Sequence, residues 1–262
     1  MDSFRTVRDQ MGLWVKVPSA PKRIVSLVPS QTELLFYLGL THEVIGITKF
    51  CIYPDEAKKT SSIIGGTKKF NFHRIESLKP DLIIGNKEEN YQEGIDQLKQ
   101  NYPVWMSDIT DLSEALNMIQ QIGVITGKTS ESQKLMKEIK TGFSTRPSGI
   151  FKAVYLIWDN PIMVAGKGTF IDEMLSLAGF DNAVELERYP TLNIEQLKSL
   201  NPDVILLSSE PFPFKQKHMD QFKKIFPYTK VLLVDGEVFS LYGSRLLKSP
   251  KYFSQLQTLI RQ

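Results

Sequence analysis

Two stretches decide the fold: FHRIESLKPDLIIG at 72–85 and IEQLKSLNPDVILL at 194–207. Laid over one another without a gap, they match Ser77, Leu78, Pro80 and Asp81 to Ser199, Leu200, Pro202 and Asp203, an offset of 199 − 77 = 122 residues. Each copy reads as an amphipathic helix, a Pro-Asp turn and a buried strand. Proline stops the helix because it cannot continue the hydrogen-bond ladder, and aspartate opens the strand. The motif L-x-P-D before an apolar run is also a common helix-to-strand turn, so two independent copies are the competing reading. The helical segment lying between them favours a duplicated lobe.

Working outward, RIVSLV (23–28) is a β-branched run, followed by Pro29 and the helical stretch QTELLFYLGL (31–40), which Gly39 closes. Ser30 and Glu33 have the S-x-x-E spacing of a capping box. VIGIT (44–48), DLIIG (81–85) and PVWM (103–106) are the next strands, separated by helices at 72–79 and 91–100. From Leu112 to about Phe143 the apolar spacing is helical throughout, which predicts one or two linking helices. Strands then resume at 151–158, 203–207 and 230–235, with helices at 170–180, near 215–225 and near 250–261. This alternation predicts an α/β chain with parallel sheets. The boundaries are an N-terminal extension at 1–20, a first lobe at 21–110, a linking segment at 111–147 and a second lobe at 148–262.

With 42% hydrophobic and 23% charged residues, the 262-residue chain has material for two cores and no disordered signature. A net charge of +3 with scattered Lys and Arg gives no basic stripe for nucleic acid. No run approaches the roughly 18 apolar residues of a membrane span, so direct insertion is not expected. The start, MDSFRTVRDQMGLWVKVPSAPKR, shows no secretion signal, which keeps a cytoplasmic location open. Cys51 is the single cysteine, so no intrachain disulfide forms.

Enzyme signatures are missing. AGKGTF (165–170) lacks the first glycine of a phosphate-binding loop, and no G-x-S-x-G elbow or H-E-x-x-H pair occurs. His42, His73 and His218 are far apart, so neither a catalytic set nor a metal cage is expected. What remains is a series of aromatic and polar residues at strand-to-helix junctions, where ligands of open parallel sheets sit. These are Ser30, Gln31, Thr32, Phe50, Cys51, Gly66, Thr67, Asn86, Trp158, Asp159, Tyr189, Phe239, Tyr242 and Arg245. Flat rings with few charges suit a large, partly apolar ligand, although Trp158 and Phe239 read equally well as core residues ending their strands.

Taken together, PKRIVSLVPSQTELLFYLGL, VIGITKFCIYP, GGT with RIESLKPDLII, and DGEVFSLYGSRLL resemble the class III periplasmic binding proteins, particularly the cobalamin-receptor-like branch. The likeness runs from about Pro21 to Leu247. It implies two Rossmann-like lobes, each a parallel sheet flanked by helices, joined by a long interlobe helix with the ligand in the cleft. It further implies a monomer without a cofactor, which hands a corrinoid or another metal chelate, such as an iron-siderophore or haem, to an ABC permease outside the cytoplasm. In the cobalamin receptors tryptophans line the cleft; by position Tyr189 replaces one, while Thr67 and Asn86 stand at two others. The family docks through one glutamate per lobe. Glu195 matches the second, and His73 occupies the first, since 73 + 122 = 195. A neutral imidazole cannot accept an arginine fork. A cytoplasmic chelate sensor or carrier uncoupled from transport is therefore the alternative.

Overall fold

The computed structural model describes residues 3–145, 147 and 151–262. Its contacts divide the chain into two units, the first made of Met1–Ile109, Ser113–Ile139 and Tyr242–Arg245, the second of Thr110–Leu112, Lys140–Leu241 and Leu246–Gln262.

In the first unit the elements run β1 (Phe4–Arg8), β2 (Trp14–Pro18), β3 (Ile24–Ser26), α1 (Pro29–Tyr37), β4 (Val44–Ile47), α2 (Ala57–Thr60), β5 (Ser62–Ile63), β6 (Gly65–Gly66), β7 (Lys69–Phe70), α3 (Phe72–Leu78), β8 (Leu82–Asn86), α4 (Gln92–Lys99) and β9 (Val104–Ser107). Two helices follow, α5 (Leu112–Ile125) and α6 (Thr129–Gly142). The main sheet has the order β5-β4-β3-β8-β9, and every pairing in it is parallel. All five residues of β8 are buried, as a central strand covered on both faces requires.

The second unit runs β10 (Phe151–Trp158), β11 (Met163–Val164), α7 (Phe170–Leu177), β12 (Phe180–Asn182), α8 (Ile194–Ser199), β13 (Val204–Ser208), α9 (Gln216–Ile225), β14 (Lys230–Val234), α10 (Gly236–Ser240) and α11 (Ser249–Arg261). Its sheet order is β11-β10-β13-β14, with β12 also pairing β10. Strand β10 is parallel to β12 and β13, and antiparallel only to the short β11.

The repeat is structural as well as sequential. Lys79 and Asn201, which are 122 apart, both adopt left-handed backbone, with φ of 46° and 47°. Asn71 and Asn193, also 122 apart, cap α3 and α8 by accepting the N–H of Arg74 and Gln196. The Ser77 and Ser199 hydroxyls donate to the carbonyls three residues back. The Asp81 carboxylate accepts the N–H groups of Lys22 and Arg23 at 2.7 and 2.9 Å, and Asp203 accepts that of Lys152 at 2.8 Å. Each aspartate thus clasps the start of the neighbouring strand, β3 or β10. Ile75 and Leu197 are the buried residues of the two short helices, each contributing about 1.5–3 kcal/mol by burial.

Four sequence expectations are revised. The segment at 1–20 is a hairpin of the first unit: the Arg5 guanidinium donates to the carbonyls of Ser19 and Ile125, and the Gln10 amide to that of Glu114. Ser30 and Glu33 form no capping box, because Pro29, whose preset φ suits a first helical residue, starts α1 two positions earlier and places Ser30 inside the helix. The helix read over 170–180 ends at Leu177; Gly179, with φ of 82°, turns the chain so that Phe180–Asn182 joins the sheet. The linking segment is two 14-residue helices, separated where Gly127 takes φ of 72°, and it does not stand apart as a segment of its own. The apolar faces of α5 and α6, including Met118, Ile122 and Leu135, belong to the first unit's core, so most of 111–147 groups there. The boundary drawn at 147–148 falls at the edge of the described residues.

Candidate functional site

Most of the first unit's candidate residues lie near the carboxyl ends of β3, β4 and β8 and the β6–β7 hairpin. Gln31 and Thr32 point from α1 into the sheet and are fully buried. The Gln31 amide donates to the Gly85 carbonyl at 3.1 Å and the Ser107 hydroxyl at 2.7 Å. The Thr32 hydroxyl donates to Ser26 at 2.8 Å and lies 3.2 Å from the Cys51 sulfur, which is 3.3 Å from Thr48. These residues knit strand ends together. Burial, aided by the Glu89 charge, pushes the fully buried Cys51 thiol up despite its hydrogen bonds with Thr32 and Thr48.

Asn86 is likewise buried. Its side-chain oxygen accepts the N–H groups of Glu88 and Glu89, and its amide donates to Ser107 at 3.0 Å. Asn90, which the sequence reading passed over, ties three segments: its oxygen accepts Asn86 N–H at 2.8 Å, and its amide donates to the carbonyls of Leu27 and Thr67. A Cβ on Gly85 would sit 2.7 Å from that oxygen, so a glycine lets this clamp close.

The late segment Tyr242–Arg245 also belongs to the first unit. The Tyr242 hydroxyl donates to Glu89 at 3.1 Å; burial first, then the Glu89 charge, raise its pKa well above the ordinary tyrosine value. The Arg245 guanidinium donates through Nε and a terminal nitrogen to one Glu33 oxygen, at 3.0 and 2.8 Å, and lies over the Tyr53 ring at 4.3 Å. Tyr242 and Arg245 are buried, so both are structural partners here, as are Ser30, Gln31, Thr32, Cys51 and Asn86. Glu33 and Glu89 were not foreseen: one was read as a helix cap, and the other carries no motif.

Phe50 and Thr67 reach the surface of the first unit, and the buried Gly66 borders the same place. They help line a hollow of about 950 Å³ in the first unit, together with Lys49, Lys68, Lys69, Phe72, His73 and Glu76. Phe50 is 51% exposed.

In the second unit Trp158 ends β10 with 39% of its surface exposed; its N–H donates to the Asn160 carbonyl, and its ring meets Phe212 edge-on at 5.6 Å. Asp159 beside it and Tyr189 are half-buried, the latter under the Arg188 guanidinium at 5.6 Å. Phe239 is fully buried against Tyr155 and Phe253, at 5.1 and 5.0 Å, so its ring is core and offers no wall to a ligand. The Tyr155 hydroxyl donates to Ser208, and burial drives its pKa far upward. Glu195 is exposed on α8 and pairs with Lys198 at 3.1 Å, and His73 is exposed on α3, 3.9 Å from Glu76. Among the described residues, no three His, Cys, Asp or Glu side chains gather as a metal site, and no helix is long and apolar enough to cross a membrane.

Two α/β units tied by a structural repeat, with ring-bearing strand ends, find their counterpart in one family: residues 24–225 match the model of the periplasmic binding proteins. The chain belongs to the periplasmic binding protein family. It is a binding protein and not an enzyme, like its relatives. Among these, an uncharacterized ABC transporter substrate-binding lipoprotein, YvrC of Bacillus subtilis, is 28% identical across 93% of this chain and 82% of its own length. A vitamin B12-binding protein of Pectobacterium carotovorum is 24% identical across 91% of this chain and 90% of its own. Among solved structures, the periplasmic heme-binding protein RhuT from Roseiflexus superposes with a TM-score of 0.78 at 22% identity, over 91% of this chain and 97% of that one. The periplasmic vitamin B12-binding protein BtuF of Vibrio cholerae gives 0.74 at 21% identity, over 92% and 98%. The two α/β units are therefore those of the periplasmic binding protein fold.

Proposed function

We propose that this chain is an extracytoplasmic substrate-binding protein that captures a corrinoid or another metal chelate, iron-siderophores and haem included, and delivers it to an ABC importer. The family match over residues 24–225 carries this reading, joined to relatives whose names give ABC substrate binding and vitamin B12 binding. Exposed rings at strand ends support it, Phe50 and Tyr53 in the first unit and Trp158 in the second, because a macrocycle or aromatic chelate is held by stacking and a few polar contacts. Glu195 is the candidate contact to permease arginines, free in solvent to accept a bidentate fork once it releases Lys198.

Calorimetric titration with cyanocobalamin, haemin and ferric siderophores tests the reading. A one-to-one isotherm with one of them, weakened by Trp158→Ala or Tyr189→Ala, is expected; no heat from any of them rejects it. One observation favours a second reading, a chelate sensor or carrier uncoupled from transport: His73 stands at the repeat position of Glu195 and bears no carboxylate. Fractionation of the native cells separates the two, cytosolic protein supporting the carrier.

A further inference from the structure

We propose that the first unit's hollow selects an anionic chelate, one bearing carboxylate or catecholate charge, over a neutral one. This rests on the chelate reading above and narrows it. Three lysines, Lys49, Lys68 and Lys69, and one carboxylate, Glu76, line the hollow, a formal charge of 3 − 1 = +2. The whole chain carries only +3 over 262 residues, so the lining of the hollow is richer in positive charge than the chain as a whole.

Among the described contacts, Lys68 and Lys49 meet partners that carry no charge. The Lys68 ammonium donates to the Glu88 carbonyl at 2.6 Å. Lys49 lies over the Phe50 ring, its ammonium 5.0 Å from the centroid, and so couples a positive charge to an exposed aromatic face. A carbonyl dipole and a ring face fix position while leaving the charge for a ligand. Glu76, the carboxylate of the set, lies 3.9 Å from His73.

The backbone brings the lysines together. Gly65 has φ of 117°, and a Cβ there would fall 2.5 Å from the Lys69 carbonyl oxygen, so the hairpin closes only with glycine. The Lys49 N–H donates to the Gly65 carbonyl at 2.8 Å, which ties the end of β4 to that hairpin. Lys49 and the Lys68–Lys69 pair thereby frame one opening beside Phe50. A flat or aromatic ligand with peripheral negative charge fits this combination; a neutral ligand leaves the cations without a counter-charge.

The test uses the whole protein and matched probes that differ in charge: ferric tricatecholate against neutral ferric trihydroxamate, haemin against its dimethyl ester, with cyanocobalamin alongside. Calorimetry should find the anionic member of the binding pair tighter, with an affinity that falls as NaCl rises from about 0.05 to 0.5 M, because exposed charges are screened. Lys49→Gln with Lys69→Gln should weaken that member about four- to twenty-five-fold, a factor of about two to five for each exposed contact, and leave the neutral member unchanged. Adding Lys68→Gln should deepen the loss, and circular dichroism confirms that each variant folds. Equal binding of the neutral member, or binding of cyanocobalamin alone, overturns the inference while the chelate reading stands. Silence from every probe overturns both.

Discussion

Removing the Glu33 carboxylate should expose how the segment Tyr242–Arg245 is held. Arg245 is 4% exposed and gives two donors to one Glu33 oxygen at 3.0 and 2.8 Å, with Tyr53 beneath the guanidinium. Breaking a buried ion pair from one side costs about 3–5 kcal/mol, because the surviving charge stays buried without that carboxylate. The Glu33 side chain is 17% exposed, so water reaches part of the pair and the lower end applies. Glu33→Ala should therefore cost about 3 kcal/mol, and at roughly 2–4 °C per kcal/mol for a chain of this size the melting temperature should fall about 6–12 °C. Glu33→Gln keeps an acceptor and should lose about half as much. In a double-mutant cycle with Arg245→Ala, the coupling should be about 2 kcal/mol. Replacing both partners together, Glu33→Leu with Arg245→Met, should return stability to within about 1–2 kcal/mol of the parent, since no charge is then stranded. Thermal unfolding followed by circular dichroism at neutral pH and 0.15 M salt reads all of these. A drop below about 2 °C for Glu33→Ala, or strict additivity with Arg245→Ala, would refute the reasoning.

Other outcomes follow from the same structure. Burial raises the pKa values of Tyr155 and Tyr242, so the folded state keeps protons that the unfolded chain releases above pH ~10. Their stabilising effect is whole below that pH and is lost as pH rises through the folded values, at about 1.4 kcal/mol per pH unit for each; urea unfolding from pH 9.5 to 11 should show the slope, and Tyr155→Phe should remove one share of it. Asp81 accepts two backbone N–H groups, at 2.7 and 2.9 Å, so Asp81→Ala should cost about 2–3 kcal/mol in denaturant titration; a loss below about 1 kcal/mol would contradict this assignment. Phe239→Ala should cost about 3–5 kcal/mol as a core truncation. Trp158→Ala should stay within about 1 kcal/mol, and a melting shift of similar size for both would show that Phe239 is not the core ring described here. Gly65→Ala should cost about 1–3 kcal/mol and speed amide exchange across 65–70, because φ of 117° strains any side chain.

Much of the architecture was legible because it is local. Parallel strands buried on both faces write themselves as unbroken apolar runs, and β8 and β13 appear in the sequence as such. The matching Pro-Asp turns announced the repeat, and the copies could have been extended one residue further, to Asn71 and Asn193. The hairpin at 4–18 and strand β12 were missed because neither carries a long apolar run: β1 alternates half-buried and exposed residues, and β12 has three residues. At the strand ends the sequence could not tell a side chain lining a surface from one sewn into the sheet. Phe50 and Thr67 proved to be the first kind, and Gln31, Thr32, Cys51 and Asn86 the second.

By itself the sequence determined most of the helices and strands, that the pattern occurs twice, and which family pattern it follows, since propensity, turn chemistry and periodicity act between neighbours along the chain. Only the tertiary structure decided the partners of the charges. Glu33 meets Arg245 across 212 residues and Tyr242 meets Glu89 across 153, while Lys49, Lys68 and Lys69 gather at one opening. A Coulomb interaction depends on distance in space, and that distance exists only after the strands have chosen their neighbours.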